Sequence, residues 1–291
     1  MGSSEPWTVL RLINWTKDFF DRKGVDDARL SAEVLLGHVL GCPRVQLYAR
    51  FDRLVEPDRL AAYRELVQRA GGGEPVAYLI GSREFYSLSL LVTPDVLIPR
   101  PETELLVDEA LRSAKGLPSP TLWDACTGSG CVAVAAAKYE ARLSVLATDI
   151  SEPALKVAQA NAERHGVSDR VRLVRADLLD WPADAGELAQ VDVITANPPY
   201  VAAGEMAGLP PSVRREPEIA LCSGPTGLEA ISRIVADAPD RLKPGGLLAM
   251  EIALGQADKA YALLKGQGRY AEIAFRKDSA GIDRVVVARM A

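Results

Sequence analysis

The segment Asn197-Pro198-Pro199-Tyr200 ends the apolar run VDVITA abruptly. A residue before proline is driven toward extended backbone, and proline itself donates no hydrogen bond. We therefore expect Asn197 to be held rigidly, with the carbonyl oxygens of Asn197 and Pro198 free to accept. A planar NH₂ group could then donate one hydrogen to the Asn197 side chain and the other to the Pro198 carbonyl, with Tyr200 stacked on the plane. The motif predicts a site for a planar nitrogen.

A second candidate site lies in the segment DACTGSGCVA. Asp124 ends an apolar strand, and Gly128 and Gly130 lie in the turn into a helix, where a ligand can approach the backbone closely. About 20 residues later, Asp149 ends the next strand, where a carboxylate can accept the hydroxyls of a ribose. This pair predicts a site for an adenosine-containing cofactor.

The spacing Gly128-x-Gly130-x-x-Ala133 also fits a dinucleotide, so NAD and S-adenosylmethionine are both candidates. Asp124 favours S-adenosylmethionine, because it could bind an ammonium group but would repel a pyrophosphate. Asp177, at the third strand end, could meet the adenine edge, and an aromatic ring near a sulfonium adds a cation–π contact. Methyl transfer to a nitrogen needs no strong base, so we expect no general base here.

The elements that position these residues form two groups. Residues 7 to about 70 carry helical periodicity only, and the glycines at 71–73 break the pattern. A β-hairpin is predicted around Ser82 to Ser87, followed by a proline-rich bridge. From Thr121 onward strands alternate with helices, which predicts an α/β fold: a doubly wound, mostly parallel sheet with a small all-helical N-terminal domain. The candidate residues fall at the carboxyl ends of its strands, where such sheets bind ligands.

Composition narrows the function further. The 291 residues are 48% hydrophobic and carry a net charge of −5, from 34 basic and 39 acidic residues. Neither a membrane span nor, at MGSSEPW, a targeting signal is expected, so we predict a cytoplasmic protein. The acidic balance argues modestly against a nucleic-acid substrate. The four cysteines include no Cys-x-x-Cys pair, and we expect no metal site.

The Asn-Pro-Pro-Tyr motif resembles the signature of S-adenosylmethionine-dependent methyltransferases that act on planar nitrogens. The helical N-terminal region, the segment GEPVAYLIGSREFYSLSLLVTPDVLIPRPETELLVDEAL and the late KDSAGIDRVVVAR extend the resemblance to release-factor glutamine methyltransferases, the PrmC/HemK family, along essentially the whole chain. The resemblance implies a Rossmann-like class I methyltransferase. Its activity would be N5-methylation of the glutamine in the Gly-Gly-Gln motif of class 1 peptide chain release factors. It also implies a substrate-recognition domain at 1–73, a linker with the hairpin at 74–100 and a catalytic domain at 101–291.

The resemblance also assigns roles to individual residues. Asn197, Pro198 and Tyr200 would be catalytic, and these three with Pro199, Arg100 and Glu102 would hold the substrate. Glu104 could line the same pocket or be an ordinary first-turn helix residue. The cofactor would be held by strand-end and loop residues: Asp124, Cys126, Thr127, Gly128, Ser129, Gly130, Asp149, Ile150, Asp177, Leu178 and Asn197.

One position departs from the family pattern, since release-factor enzymes usually have glycine where this chain has Cys126. The run DACTGSGC resembles the sister enzyme that methylates a glutamine of ribosomal protein L3, so that substrate stays an alternative. The intact IPRPETE and GIDRVVVAR segments favour release factors, and we interpret Cys126 as a small, unreactive side chain in the loop. A nucleic-acid amino-group methyltransferase, a dehydrogenase and a non-catalytic cofactor-binding protein explain fewer of these features.

Overall fold

The computed structural model describes residues 6–180 and 190–291. The described residues form two compact units. One comprises the chain up to Gly81 together with Pro210–Arg215, and the other comprises Ser82–Leu209 and Glu216–Ala291. The segment MGSSE, on which the expectation about a targeting signal partly rested, lies outside the described residues. The predicted domain boundaries at 73 and 100 remain predictions.

The first unit is helical, as its periodicity predicted. Amphipathic spacing builds its core from residues such as Ile13, Phe20 and Leu36, all fully buried. The first helix ends at Gly24, whose φ of 68° is a conformation that glycine adopts freely. The helices are α1 (Val9–Lys23), α2 (Ala28–Leu40), α3 (Arg44–Tyr48), α4 (Pro57–Gly71) and α5 (Val76–Ile80).

The predicted hairpin opens the second unit. Its strands β1 (Ser82–Phe85) and β2 (Leu88–Leu91) pair antiparallel, and Tyr86 and Ser87 between them both have positive φ. The proline-rich bridge then leads through a short 3-10 turn, Pro101–Thr103, into helix α6 (Glu104–Ala114). The bridge places Thr103 where it reaches the sheet.

The remaining strands form one seven-stranded sheet within the described residues, in the order β5-β4-β3-β6-β7-β9-β8. The first five pair in parallel, and β9 pairs antiparallel with both neighbours. Its strands are β3 (Thr121–Ala125), β4 (Ser144–Asp149), β5 (Val171–Arg175), β6 (Val191–Ala196), β7 (Leu242–Glu251), β8 (Tyr270–Lys277) and β9 (Asp283–Met290). The predicted fold class is confirmed.

Helices cover both faces of this sheet. Because side chains alternate along a strand, Leu122 packs into one core and the adjacent Trp123 into the other. Residues of α6, α7 and α8 join the core of Leu122, and residues of α9 and α10 join that of Trp123. These helices are α7 (Cys131–Tyr139), α8 (Glu152–Arg164), α9 (Glu229–Arg241) and α10 (Ala257–Gln267).

The strand order reverses between β3 and β6, since β4 and β5 continue to one side and β7 to the other. At such a switch point the connecting loops separate, which leaves a crevice at the carboxyl ends of the strands. Asp124 lies near the end of β3, Asp149 ends β4 and Asn197 follows β6. The topology therefore brings these sequence-predicted residues together at the carboxyl ends of three neighbouring strands. In the described parts of the chain, no helix is long and apolar enough to cross a membrane.

Candidate active site

A cavity of about 290 Å³ opens at the switch point. Its wall includes Asp124, Asp149 and Asn197, from three different strand ends, and Thr103 from the proline-rich bridge. Residues far apart in sequence thus share one concave site, as small-molecule sites usually require.

The glycine loop between β3 and α7 has an alternating backbone. Cys126, Gly128 and Gly130 have φ of 56°, 56° and 77°, in the left-handed region that favours glycine. A Cβ at Gly130 would lie 3.0 Å from the Cβ of Ala158, so this glycine also allows α8 to pack closely. Cys126 adopts the same strained region without being glycine. The structure thus supplies a reason why glycine suits position 126.

Asp149 is joined directly to the glycine loop. Its Oδ2 accepts the Gly128 amide at 2.9 Å, and its Oδ1 accepts the Ser151 amide at 2.9 Å. Burial raises the pKa of the Asp149 carboxyl, and the backbone donors partly oppose that rise. Each carboxylate oxygen keeps a second lone pair, so Asp149 can hold the loop and still accept hydroxyl groups from a ligand.

Asp124 lies deeper and is only 2% exposed. Thr127 donates its hydroxyl to Oδ2 at 2.6 Å, and Thr195 donates to Oδ1 at 2.7 Å. Burial raises the pKa of Asp124 to about 6, although both hydroxyls lower it. The hydroxyl donors are neutral, so they leave the charge of the ionised carboxylate uncompensated. A cationic ligand group would compensate it.

Other residues of the cavity wall are partly apolar and partly charged. Leu178 and the 40%-exposed Ile150 supply apolar surface, and Leu178 has a positive φ of 52°. Asp177 also lines the cavity, but its Oδ2 accepts from Arg233 Nη1 at 2.8 Å. Arg233, on α9, also belongs to the wall. These wall residues thus combine apolar surface with one carboxylate that is hydrogen bonded to Arg233, a residue that the sequence did not point to.

Asn197 has a fixed orientation. Its Nδ2 donates to Thr103 Oγ1 at 3.2 Å, and that hydroxyl donates to Glu251 Oε2 at 2.6 Å. The buried Oδ1 of Asn197 has no hydrogen-bond partner among the described residues. Buried acceptors are nearly always satisfied, so an unpartnered one at a cavity wall fits a ligand donor.

Tyr200 is held from both sides of its backbone. Its amide donates to the Leu221 carbonyl at 3.2 Å, and its carbonyl accepts from Gln256 Nε2 at 3.1 Å. A Cβ at Gly227 would lie 2.5 Å from the Tyr200 carbonyl oxygen, so only glycine fits at position 227 without a shift of the backbone. The hydroxyl lies 3.5 Å from Glu251 Oε1, and burial raises the pKa of the phenol. These contacts fix the main chain at Tyr200, while the side-chain hydroxyl makes a long contact.

The other predicted residues lie as follows. Cys126, Thr127, Ser129 and Pro199 line the cavity, and the buried hydroxyl of Ser129 has no partner among the described residues. Five further residues that the sequence predicted for the site are not part of the cavity wall: Gly130, Pro198, Tyr200, Arg100 and Glu102.

The bridge before α6 holds its own contacts. Arg100 Nη2 lies 2.5 Å from the buried carboxylate of Glu216, which also accepts the Ile98 amide at 3.0 Å. Glu104 begins α6 and accepts the Tyr86 amide at 2.8 Å. These contacts give Arg100 and Glu104 structural roles, and the assigned substrate roles of Arg100 and Glu102 stay predictions.

The Cys126 thiol is protonated at neutral pH, because burial and nearby carboxylates raise its pKa well above the ordinary value. The nucleophilic form of cysteine is the thiolate, so this environment disfavours a reactive role. The described residues contain no cluster of three or more histidine, cysteine or acidic side chains suited to a metal ion.

Sequence reasoning missed Thr103 and Glu251 as well as Arg233. Glu251 ends the apolar run LLAM on β7, the same signal that identified Asp124. Thr103 lies within the IPRPETE segment, where the charged residues drew the interpretation. Its partners are 94 and 148 residues away, so only the fold brings the three together.

Two family models match parts of the chain. The PrmC N-terminal domain model matches residues 11–81, which covers most of the helical unit. The ribosomal protein L11 methyltransferase (PrmA) model matches residues 106–213. Among solved structures, the hMettl16 catalytic domain is 18% identical with a TM-score of 0.58, over 73% of this chain and 79% of that one. This likeness concerns the fold alone.

Curated relatives match over nearly the full length. The release factor glutamine methyltransferase of Rhodopirellula baltica is 47% identical over 98% of this chain and 97% of its own. The enzyme of the same name from Geobacter sulfurreducens is 41% identical over 98% of each chain. The chain is therefore a methyltransferase and belongs to the release factor glutamine methyltransferase family.

Proposed function

We propose that this enzyme transfers a methyl group from S-adenosylmethionine to the N5 amide nitrogen of the glutamine in the Gly-Gly-Gln motif of class 1 release factors. The observation that carries the proposal is the orientation of Asn197. Its amide nitrogen is tied to Thr103, and its buried oxygen has no protein partner among the described residues. A primary amide donor is the complement of that oxygen.

The cavity has the groups that S-adenosylmethionine requires. Asp149 would accept the ribose hydroxyls, and Asp124 would face the ammonium group. The alternating loop from Cys126 to Gly130, with Thr127 and Ser129, would line the methionine moiety. Ile150 and Leu178 would contact the adenine faces, with Asp177 at its edge. When bound, the cofactor supplies an electrophilic methyl on a sulfonium.

The protein's own residues would then orient the amide. Asn197 Oδ1 and the Pro198 carbonyl would each accept one amide hydrogen, which points the nitrogen lone pair toward the cofactor side. An amide nitrogen is a poor nucleophile because its lone pair is delocalised into the carbonyl. Acceptors whose hydrogen bonds strengthen as the nitrogen becomes positive stabilise the transition state selectively. Pro199 and the ring of Tyr200 would complete this side of the site.

The protein partner would be recognised away from the reacting group. We assign release-factor contacts to the helical residues up to 73, and substrate contacts near the site to Arg100 and Glu102. The net charge of −5 favours a protein substrate over nucleic acid. A release-factor substrate would place this activity in the cytoplasm. The ribosomal protein L3 alternative rests on the loop segment around Cys126 alone.

The test is methyl transfer from radiolabelled S-adenosylmethionine to an unmodified release factor. A matched release factor in which the motif glutamine is asparagine serves as control, because its amide lies one carbon closer to the backbone. We expect label on the glutamine protein and none on the asparagine protein. Equal labelling of both would place the methyl elsewhere and refute the proposed substrate atom.

A further inference from the structure

Glu251 is a buried carboxyl that no assigned role explains. It ends β7, is 3% exposed, and its Oε2 accepts the Thr103 hydroxyl at 2.6 Å. Thr103 is itself 1% exposed. A buried carboxylate is costly unless it is hydrogen bonded, so this contact is strongly favoured once formed.

Because the Thr103 hydroxyl has a single proton, its bond to Glu251 determines the direction of the hydrogen bond between Thr103 and Asn197. A hydroxyl has one proton, and Thr103 donates it to ionised Glu251. The oxygen of Thr103 can then only accept, and Asn197 must turn its NH₂ group toward it, as the 3.2 Å contact shows. The Oδ1 atom of Asn197 is consequently the end that has no hydrogen-bond partner in the part of the chain that the structure describes.

The reversed arrangement would disable the site. If the Thr103 hydroxyl pointed to Asn197, the amide would present its oxygen to Thr103 and its NH₂ group to the substrate. Two NH₂ groups would then face each other, and neither could accept. The carboxylate of Glu251 excludes this arrangement because it takes the Thr103 proton.

We propose that Thr103 and Glu251 are positioning residues that fix which end of the Asn197 amide faces the substrate. The inference rests on the proposed function, since it assumes an amide substrate. It is argued from the hydrogen bonds that link Glu251 through Thr103 to Asn197, and from the Asn197 Oδ1, which no described residue contacts by a hydrogen bond.

The hydrogen bonds that link Glu251, Thr103 and Asn197 depend on whether Glu251 is protonated. Burial raises the pKa of Glu251 to about 7, and the charge of Glu102 adds to the rise, while the hydrogen bond from Thr103 and the charges of Arg284 and Arg100 oppose it. The Tyr200 hydroxyl also faces this carboxyl, at 3.5 Å. A protonated Glu251 can donate to Thr103, which frees the Thr103 proton for Asn197. Activity should therefore fall as pH decreases through this range.

The first experiment compares Thr103→Val with Thr103→Ser in the full-length enzyme. Valine removes the hydroxyl at nearly constant shape, and we expect kcat to fall about 10- to 100-fold, because a misoriented group costs a factor of that size. The cofactor dissociation constant, measured by calorimetry, should change less than about 3-fold, which is less than the net free energy of one typical hydrogen bond. Serine keeps the hydroxyl and should restore kcat to within about 3-fold by the same reasoning.

Thr121→Val is the matched control. Thr121 also donates its hydroxyl to a carboxylate, Asp192 Oδ2 at 2.7 Å. It begins β3, however, and so lies at the amino ends of the parallel strands, away from the carboxyl ends that carry the site. A purely structural role for such a bond would lower stability in both valine variants and leave kcat alone. We expect the control to keep the wild-type kcat. A Thr103→Val enzyme with wild-type kcat would overturn the inference.

Glu251→Gln is the second variant, and it serves if Thr103→Val does not fold. With saturating cofactor, wild-type kcat should decrease as pH falls through about 7, whereas the glutamine variant should show no such step. The same step in both enzymes would overturn the inference. A wild-type enzyme that transfers no methyl to the Gly-Gly-Gln glutamine would instead refute the proposed function, so the two failures are distinguishable.

Discussion

The Gly128 amide donates to the Asp149 carboxylate across 2.9 Å, which joins the glycine loop of one strand end to the acidic residue of the next. The two were identified separately in the sequence, as a close-approach loop and a ribose acceptor. In the structure they are one unit, because the carboxylate that would bind the ligand also holds the loop. Changes at Asp149 should therefore act through both.

We expect Asp149→Ala to weaken cofactor binding by about 10- to 100-fold, since hydrogen bonds to a charged group contribute about 1.5–3 kcal/mol. Asn197→Ala should lower kcat by at least about 100-fold, the usual effect of losing a transition-state contact, and should weaken cofactor binding far less than that. Calorimetry with the cofactor and steady-state kinetics separate the two effects. Equal losses of cofactor affinity in both variants would contradict this division of roles.

Tyr200 should act through its ring. Its backbone is fixed by Leu221 and Gln256, and its hydroxyl makes only a 3.5 Å contact. We expect Tyr200→Ala to lower kcat by up to about 30-fold, because a cation–π contact of the ring is worth about 0.5–2 kcal/mol, and Tyr200→Phe to lower it less, since phenylalanine keeps a ring. Steady-state kinetics of the two variants gives the order, and a phenylalanine variant as poor as the alanine variant would assign the role to the hydroxyl.

Cys126 stores backbone strain at the cavity, with φ of 56°. Glycine adopts this region freely, while alanine does not, so Cys126→Gly should be about 1 kcal/mol more stable than Cys126→Ala. The comparison removes the thiol from both variants and leaves the backbone preference. Urea unfolding monitored by circular dichroism measures the difference. Equal midpoints would show that the strain is absent in solution.

Cofactor affinity should depend on pH through Asp124. Burial raises the pKa of its carboxyl to about 6, and an ammonium ligand favours the ionised form, so binding lowers that pKa and releases a proton. Affinity is therefore full above about 6 and decreases as pH falls below it. Calorimetry in buffers of different ionisation enthalpy measures the proton released. The Asp124→Asn variant should bind more weakly and release none at this step, and proton uptake by the wild type would contradict the assignment.

The main site residues could be predicted from the sequence, because Asp124, Asp149 and Asn197 each follow an apolar run. The carboxyl ends of neighbouring parallel strands lie side by side. It did not show what ties Asn197 in place. Thr103 and Glu251 meet Asn197 only through the fold, and the hydrogen-bond direction depends on a burial that the sequence does not display. Cys126 could be recognised as a departure, but its positive φ could not be derived from residue type.

The most direct test of the proposed substrate is peptide mass spectrometry after incubation of the enzyme and S-adenosylmethionine with unmodified release factor and, separately, with ribosomal protein L3. We expect one added methyl on the Gly-Gly-Gln glutamine, none on L3, and none in either reaction with the Asn197→Ala enzyme. A methyl on L3 alone would contradict the assigned substrate and identify the Cys126 loop as the better guide.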